Sequence, residues 1–225
     1  MNQVIIRTKS VSKSFILNNQ EIPVLKNIDL NIQKGEFVSI MGPSGSGKST
    51  LLYLLGGLEN ATKGSIEINT KNIADLNDDQ QSKMRRQEIG FVFQSYNLIP
   101  NLTVEENILI PLLLEGKKKK DLEAKLNDIL DIVGLSAHRN HTPKELSGGQ
   151  QQRVAIARAI ITDPEILFAD EPIGNLDSVT GIGILELLRK INQEKKTTIV
   201  MVTHSEESTR YGTRVIRLKD GMIID

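Results

Sequence analysis

The sequence of 225 residues contains no cysteine. This absence excludes disulfide scaffolds, zinc sites built from thiolates and cysteine nucleophiles. Histidine is also scarce, since only His138, His141 and His204 can supply an imidazole. Neither charge is in excess, because 28 basic residues balance 28 acidic ones. Domains that coat nucleic acid are usually strongly basic, so this balance argues against a nucleic-acid partner without excluding a local basic patch.

Long hydrophobic runs are missing as well. The longest apolar stretch, residues 108–114, is seven residues long and includes Pro111, whereas a membrane span needs roughly 18–20 residues. The N-terminal sequence lacks the basic and apolar regions of a secretory signal. We therefore expect a soluble protein of the cytoplasm that can reach the inner face of the cell membrane only peripherally, through a partner.

Apolar patterns along the chain predict alternating strands and helices. Short apolar or alternating segments predict strands at 4–6, 11–15, 24–32, 37–41, 89–93, 166–169 and 198–202. Helical spacing of apolar residues appears at 51–58, 122–133 and 184–191, and residues 214–225 are typical of a hairpin around Asp220-Gly221. The continuous apolar run at 37–41 favours a strand buried on both faces of a parallel sheet. This order indicates an α/β fold with a mostly parallel core.

The length fits one large domain, or one domain with a sizeable insertion, at roughly 100–200 residues per domain. The pattern from about residue 103 to 162 is helical throughout. We therefore interpret the chain as a single domain, 1–225, in which 1–94 and 163–225 form the core with the β-structure. Residues 95–162 form a helical insertion.

A glycine-rich loop carries the strongest local signal. Residues 42–49 read Gly-Pro-Ser-Gly-Ser-Gly-Lys-Ser and fit G-x-x-x-x-G-K-[ST] between a predicted strand and a predicted helix, the context of a P-loop. Such a loop turns successive N–H groups toward phosphate oxygens, and the following helix adds its positive dipole end. Lys48 should reach the β- and γ-phosphates, and Ser49 should bind Mg²⁺. The alternative is a flexible surface loop that fits the motif by chance. Such a chance match is expected in about one chain of this length in a hundred.

Two acidic residues follow the predicted strand at 166–169. Asp170 stands where a P-loop protein needs a second anchor for Mg²⁺, most often through water. Glu171 can face the γ-phosphate and polarise an attacking water. Alone, the pair could equally cap a strand that enters a loop, but the P-loop favours the chemical interpretation.

The segment Leu146-Ser147-Gly148-Gly149-Gln150 has two competing interpretations. Ser147 and Gln150 form the capping box of a helix start, which is a complete structural explanation. However, two glycines in a first turn cost roughly 1 kcal/mol each. Bare amides at a helix N-terminus suit a second phosphate-binding surface.

Taken together, the P-loop, Gln94 after 91–93, LSGGQ at 146–150, ILFADE at 166–171 and His204 resemble the ATP-binding cassette (ABC) ATPases. The resemblance covers essentially the whole chain. GEFVSIMGPSGSGKSTLL, IGFVFQSYNLIP and LSGGQQQRVAIARA are most similar to the cassettes of the lipoprotein-release and macrolide-export group. The resemblance implies a RecA-like P-loop core, an N-terminal antiparallel β subdomain and an inserted α-helical subdomain. It also implies an ATPase that converts ATP and water to ADP and phosphate.

The resemblance assigns a site to named residues. The implied nucleotide-binding residues are Phe15, Gly42, Pro43, Ser44, Gly45, Ser46, Gly47, Lys48, Ser49, Thr50, Ser147, Gly148, Gly149, Gln150 and Asp177. The implied catalytic residues are Lys48, Gln94, Glu171 and His204, and the implied Mg²⁺ ligands are Ser49, Gln94 and Asp170. Phe15 would stack on adenine, although alone it is typical of a core strand residue. His204 would hydrogen-bond the γ-phosphate, an assignment that depends on the resemblance alone.

Further implied roles concern communication between chains. Gln94 would sense the nucleotide and report its state to a membrane permease, and Asp177 would cross a dimer interface. Ser147 and Gly149 would clamp the γ-phosphate from the opposite subunit, so ATP would drive homodimer formation. One departure from the family is Ile173, where a threonine is usual. His138 and His141 match no family role and are interpreted as loop residues.

The implied function is to power export, lipoprotein release or mechanotransmission through a permease. Three alternatives within the family compete with this function. A DNA-maintenance cassette would carry a long coiled coil between Lys48 and Ser147, and no sustained heptads occur there. Ribosome-acting forms generally hold two cassettes in one chain, whereas this sequence has one. A cassette that signals to an envelope or cell-division partner without transport is not distinguishable from sequence. An inactive nucleotide-gated module conflicts with the intact Lys48, Asp170 and Glu171. Tyr96, Leu98 and Ile99 form a candidate docking groove for the permease, unless they pack into the insertion's own core.

Overall fold

The computed structural model describes residues 3–224. The strands are β1 (Val4–Leu17), β2 (Gln20–Gln33), β3 (Phe37–Met41), β4 (Lys63–Ile68), β5 (Lys71–Asn72), β6 (Ile89–Val92), β7 (Ile166–Asp170), β8 (Thr198–Thr203), β9 (Arg214–Lys219) and β10 (Met222–Ile223). The α-helices are α1 (Lys48–Leu55), α2 (Asp78–Gln87), α3 (Val104–Leu114), α4 (Glu123–Val133), α5 (Gly148–Ile160), α6 (Ser178–Lys195) and α7 (Glu206–Thr209).

An antiparallel sheet opens the chain. Strands β1 and β2 form a long hairpin, and β4 and β5 complete a four-stranded sheet in the order β2-β1-β4-β5. Leu17 pairs with Gln20 across a two-residue turn, in which Asn18 and Asn19 have φ values of 49° and 61°. Asparagine tolerates this left-handed backbone, which two-residue hairpin turns require. The strands predicted at 4–6, 11–15 and 24–32 lie within β1 and β2, whereas β4 and β5 were not predicted.

A six-stranded sheet forms the second framework, in the order β10-β9-β3-β8-β7-β6. Strands β6, β7, β8, β3 and β9 run parallel, and β10 returns antiparallel to β9. Every residue of β7 and β8 is buried, as the continuous apolar runs predict. Asp220 and Gly221 turn between β9 and β10 with φ values of 50° and 78°. The hairpin prediction is confirmed up to residue 224, since residue 225 lies outside the described part.

The parallel sheet lies between two apolar clusters. Alternate residues of a strand point to opposite faces, so Leu167 joins the cluster that contains α3, α4, α5 and α6. Phe168, its neighbour in β7, joins the cluster that contains α1 and the antiparallel sheet. Both faces of the parallel sheet are therefore covered, and the carboxyl ends of its strands come together at one edge.

The middle of the chain is helical. Thr103 and Glu106 form a capping box that starts α3. Gly134 ends α4 with a φ of 70°, a left-handed position at which helices commonly end on glycine. Helices α3, α4 and α5 all lie between residues 104 and 160. The boundaries of the insertion at 95 and 162 stay an interpretation. Within residues 3–224, no helix combines the length and the apolar character needed to cross a membrane.

Candidate functional site

The glycine-rich loop joins β3 to α1 and lines a pocket of about 280 Å³. Gly45 and Gly47 have left-handed φ values of 78° and 96°. A Cβ on Gly47 would lie 2.8 Å from Leu25 Cδ2, so this position accepts no side chain without movement. Lys48 is buried, and its Nζ donates to the carbonyl of Pro43 at 2.9 Å. The loop thus presents backbone N–H groups without obstructing side chains, and it holds the Lys48 ammonium beside the pocket. Phosphate binding needs both features.

Asp170 stands at the end of β7, beside the start of α1. It is only 7% exposed. Ser49 Oγ donates to its Oδ1 at 2.9 Å, and the Tyr53 hydroxyl donates to its Oδ2 at 2.7 Å. The sequence predicts Ser49 and Asp170 as Mg²⁺ ligands, and the structure brings the two together.

The donor set fits Mg²⁺. This cation prefers oxygen ligands and is usually held by one or two carboxylates with water and nucleotide phosphates. Ser49 and Asp170 supply a hydroxyl and a carboxylate beside the phosphate-binding loop. No group of three or more His, Asp or Glu side chains suited to a metal occurs in the part of the chain that the structure describes. The remaining ligands would come from nucleotide, from water and, as the resemblance implies, from the side chain of Gln94.

Glu171 and His204 meet at the rim of the pocket. Glu171 is among the lining residues, and its φ of 43° is unusual for a residue with a side chain and costs of order 1–3 kcal/mol. Its backbone N–H donates to the carbonyl of Val202 in β8 at 3.1 Å. His204 Nδ1 lies 3.2 Å from Glu171 Oε2, and its side chain is 64% exposed. The pair leaves the imidazole accessible to a ligand in the pocket.

Gln94 lies just beyond the end of β6 and contacts the segment after Glu171. The Gln94 carbonyl accepts a hydrogen bond from Asn175 Nδ2 at 3.0 Å. A Cβ on Gly174 would lie 2.8 Å from Gln94 Nε2, so Gly174 makes room for the glutamine side chain. The two loops are therefore packed together.

The LSGGQ segment starts α5, and the capping box is present. Ser147 Oγ accepts from Gln150 N at 3.3 Å, and Gln150 Oε1 accepts from Ser147 N at 2.8 Å. Both glycines permit close packing: a Cβ on Gly149 would lie 2.2 Å from Thr180 Cγ2, and one on Gly148 would lie 3.0 Å from the Tyr96 hydroxyl. Packing is thus a reason for the glycines that the sequence did not reveal. None of the residues from Ser147 to Gln150 lines the P-loop pocket.

Phe15 lies on β1 and is 41% exposed, so its interpretation as a core strand residue is wrong. Lys13 Nζ stands over its ring, 4.7 Å from the centroid. Lys13 Nζ also donates to Glu59 Oε1 and to the Asn60 carbonyl, both at 2.8 Å. The ring is held by a buried cation, and the hairpin that carries it touches the P-loop through Val24.

Asp177 caps α6 and stands near the LSGGQ segment. Its Oδ1 accepts from the N–H groups of Val179 and Thr180 at 3.1 and 3.0 Å. The hydrogen bond to the Thr180 side chain, followed by backbone bonds, lowers the Asp177 pKa. Ile173 packs against the apolar cluster on this side of the sheet and lies beside Gly181. The missing threonine hydroxyl is thus replaced by aliphatic packing.

The three residues of the candidate docking groove, Tyr96, Leu98 and Ile99, lie in different environments. Leu98 packs against the buried cluster, Tyr96 lies against Gly148, and only Ile99 is exposed, at 45%. A mostly apolar cleft of about 370 Å³ lies nearby instead, between β6, α3 and α5. Its lining includes Phe91, Phe93, Ile110, Pro111, Leu114 and Arg158.

Three contacts escaped the sequence reasoning. Tyr53 binds Asp170, and its position four residues after Ser49 on the same helix was a readable signal. Lys13 covers Phe15, which no periodicity indicates. His138 is part of a short 3₁₀ turn, and its Nε2 lies 2.9 Å from Gln150 Nε2, so its interpretation as a loop residue without a role was incomplete.

Comparison with known proteins identifies the family to which the chain is similar. The family model described as "ABC transporter" matches residues 25–174. The cassette MJ0796 of Methanocaldococcus jannaschii has a solved structure, a dimeric post-hydrolysis state bound to ADP and Pi, with 46% identity and a TM-score of 0.91 over 98% of this chain and 97% of that one. The lipoprotein-releasing system ATP-binding protein LolD of Legionella pneumophila is 43% identical over 99% of this chain and 98% of its own length. The macrolide export ATP-binding/permease protein MacB of Bdellovibrio bacteriovorus is 46% identical over 97% of this chain and 33% of its own length.

Proposed function

The chain belongs to the ABC transporter family as an ATP-binding subunit that acts with a membrane partner, and on this premise we propose how its residues bind and hydrolyse ATP. The observation that carries the proposal is the common pocket of Lys48, Ser49 and Glu171, with Asp170 bonded to Ser49. A lysine ammonium, a hydroxyl–carboxylate pair suited to Mg²⁺ and a second carboxylate thus meet at one pocket. P-loop enzymes use groups of these kinds to bind nucleotide phosphates and to direct a water at the γ-phosphate.

Each of these groups has a distinct task. The P-loop amides and Lys48 bind the β- and γ-phosphates, and Ser49 and Asp170 hold Mg²⁺, which neutralises phosphate charge when bound. Glu171 accepts a proton from the water that attacks the γ-phosphorus. His204 lies 3.2 Å from Glu171, where it orients the carboxylate and can donate to the γ-phosphate. Phe15 offers its exposed ring face to the adenine.

The signature segment serves a second copy of the chain. Ser147 is exposed, and the first turn of α5 lies outside the P-loop pocket of its own chain. The N–H groups of this turn that lie outside the capping box can therefore bind phosphate only at a site on another molecule. A two-fold homodimer, in which each LSGGQ segment faces the partner's P-loop, satisfies both chains at once and buries two ATP molecules. Asp177, which lies beside this segment, would stand at the same interface.

The apolar cleft between β6, α3 and α5 is the proposed docking site for the permease. Leu114 at its edge is 72% exposed, and such exposed apolar surface commonly marks an interaction site. Phe93 lines the cleft and directly precedes Gln94, so a helix bound there would sense the loop that contacts Gly174. The chain would work on the inner face of the membrane. The relatives LolD and MacB point to lipoprotein release or export as its task. Mechanotransmission is the third task that the family resemblance implies.

Glutamine at position 171 tests the division of roles. Glu171→Gln keeps the shape of the side chain but cannot accept the proton, so hydrolysis should fall by roughly 10²–10⁴-fold while ATP affinity is kept. Lys48→Ala should instead weaken ATP binding itself. Steady-state phosphate release and equilibrium ATP binding measure the two effects. An equal loss of binding in both variants would contradict the assignment.

A further inference from the structure

The carboxylate of Asp170 receives two hydrogen bonds from one helix. Ser49 Oγ donates to Oδ1 at 2.9 Å, and the Tyr53 hydroxyl donates to Oδ2 at 2.7 Å. Ser49 and Tyr53 are four residues apart on α1, so their side chains lie on the same helix face. Each oxygen of Asp170 therefore has its own donor, and the carboxylate is fixed in rotation.

Tyr53 is itself held firmly. Its ring lies 6.5 Å from that of Phe93, at an interplanar angle of 54°, and it packs against the apolar cluster that contains α1. A tyrosine hydroxyl is protonated at neutral pH, so it is available to donate to Asp170 Oδ2.

We propose that Tyr53 is a positioning residue for Mg²⁺, because it occupies Oδ2 of Asp170 and so keeps Oδ1 directed at Ser49 and the cation. The inference rests on the proposed function, in which Ser49 and Asp170 hold that cation. Partners that hydrogen-bond a ligating carboxylate typically contribute about 10–100-fold to metal affinity. The competing explanation is that Tyr53 only fills space beside Phe93, in which case its hydroxyl is dispensable for metal binding.

Removing the hydroxyl alone separates the two explanations. Tyr53→Phe is made in the Glu171→Gln background, so that ATP is not consumed. Free Mn²⁺ is measured by electron paramagnetic resonance at saturating ATP, and ATP affinity is measured separately in EDTA. The expected result is a Mn²⁺ dissociation constant about 10–100-fold higher, with unchanged ATP affinity in EDTA. Excess Mg²⁺ should restore tight nucleotide binding.

Matched variants make each outcome decisive. Tyr211→Phe removes a phenol that lies near Arg189 instead and should change nothing. Asp170→Asn tests the metal site: if it leaves Mn²⁺ binding intact, the proposed function is wrong at this point. If Asp170→Asn weakens Mn²⁺ binding and Tyr53→Phe does not, only the role of Tyr53 is overturned. Loss of ATP affinity in EDTA, or no recovery with excess Mg²⁺, would also overturn it in favour of a space-filling role. Tyr53→Leu, which lacks the donor too, must give the same shift if Tyr53→Phe does not fold.

Discussion

The contact between Gly149 and Thr180 offers a sharp test of why the signature segment contains glycine. A Cβ at position 149 would lie 2.2 Å from Thr180 Cγ2, but 3.7 and 4.0 Å from Thr180 Cβ and Oγ1. The conflict is therefore with one methyl group. Overpacking of this kind costs typically 1–3 kcal/mol. Alanine gains at most about 1 kcal/mol over glycine from helix propensity. Gly149→Ala should thus lower the free energy of unfolding by about 0–3 kcal/mol.

Serine at position 180 removes the methyl group and keeps the hydroxyl. In the double variant, Gly149→Ala with Thr180→Ser, the nearest remaining atoms are at ordinary contact distance, so the added methyl group should be tolerated. Urea unfolding of the four members of this cycle, without nucleotide, gives the coupling free energy. We expect about 1–3 kcal/mol of favourable coupling. Additivity within about 0.5 kcal/mol would refute packing as the reason for Gly149.

Two further predictions concern the adenine and the permease. Phe15→Ala should weaken ATP binding several-fold, because aromatic stacking is worth about 0.5–1.5 kcal/mol. It should not change the affinity for inorganic tripolyphosphate, measured by competition with ATP. Equal weakening of both ligands would argue against adenine stacking on Phe15. Ile110→Asp with Leu114→Asp should leave the ATPase rate of the isolated subunit near normal and abolish co-purification with the permease. Leu98→Asp should instead destabilise the fold, since Leu98 packs against the core. Unaltered co-purification of the double variant would exclude the cleft as the docking site.

The parallel core could be predicted from sequence because its strands are buried on both faces. β3, β7 and β8 appear as continuous apolar runs, and their positions were predicted to within about one residue. Helix α2 was missed for the opposite reason: Met84 is its only buried residue, and its start is fixed by the Asn77–Gln80 capping box, so no apolar periodicity marks it. Strands β4 and β5 are likewise short and half exposed.

At the site, motifs predicted which residues are candidates but not how they are supported. The spacing of the P-loop and the acids after β7 led to Lys48, Ser49 and Asp170, which the fold brings together. The hydrogen bond that fixes Lys13 near Phe15 and the methyl contact of Gly149 involve residues distant in sequence, Glu59 and Thr180. Local patterns carry no information about such contacts. The different environments of Tyr96 and Leu98 have the same cause, since Tyr96 lies against Gly148 and Leu98 packs against the buried cluster.

The central claim is that two copies of the chain enclose ATP between the P-loop of one and the LSGGQ segment of the other. The molar mass of the Glu171→Gln variant, measured by light scattering with and without ATP, tests it most directly. The account predicts a monomer without nucleotide and a doubled mass with ATP. It also predicts that adding Ser147→Arg keeps ATP binding but leaves the mass unchanged. A Glu171→Gln protein that binds ATP and stays monomeric, or a Ser147→Arg protein that still doubles its mass, would contradict it.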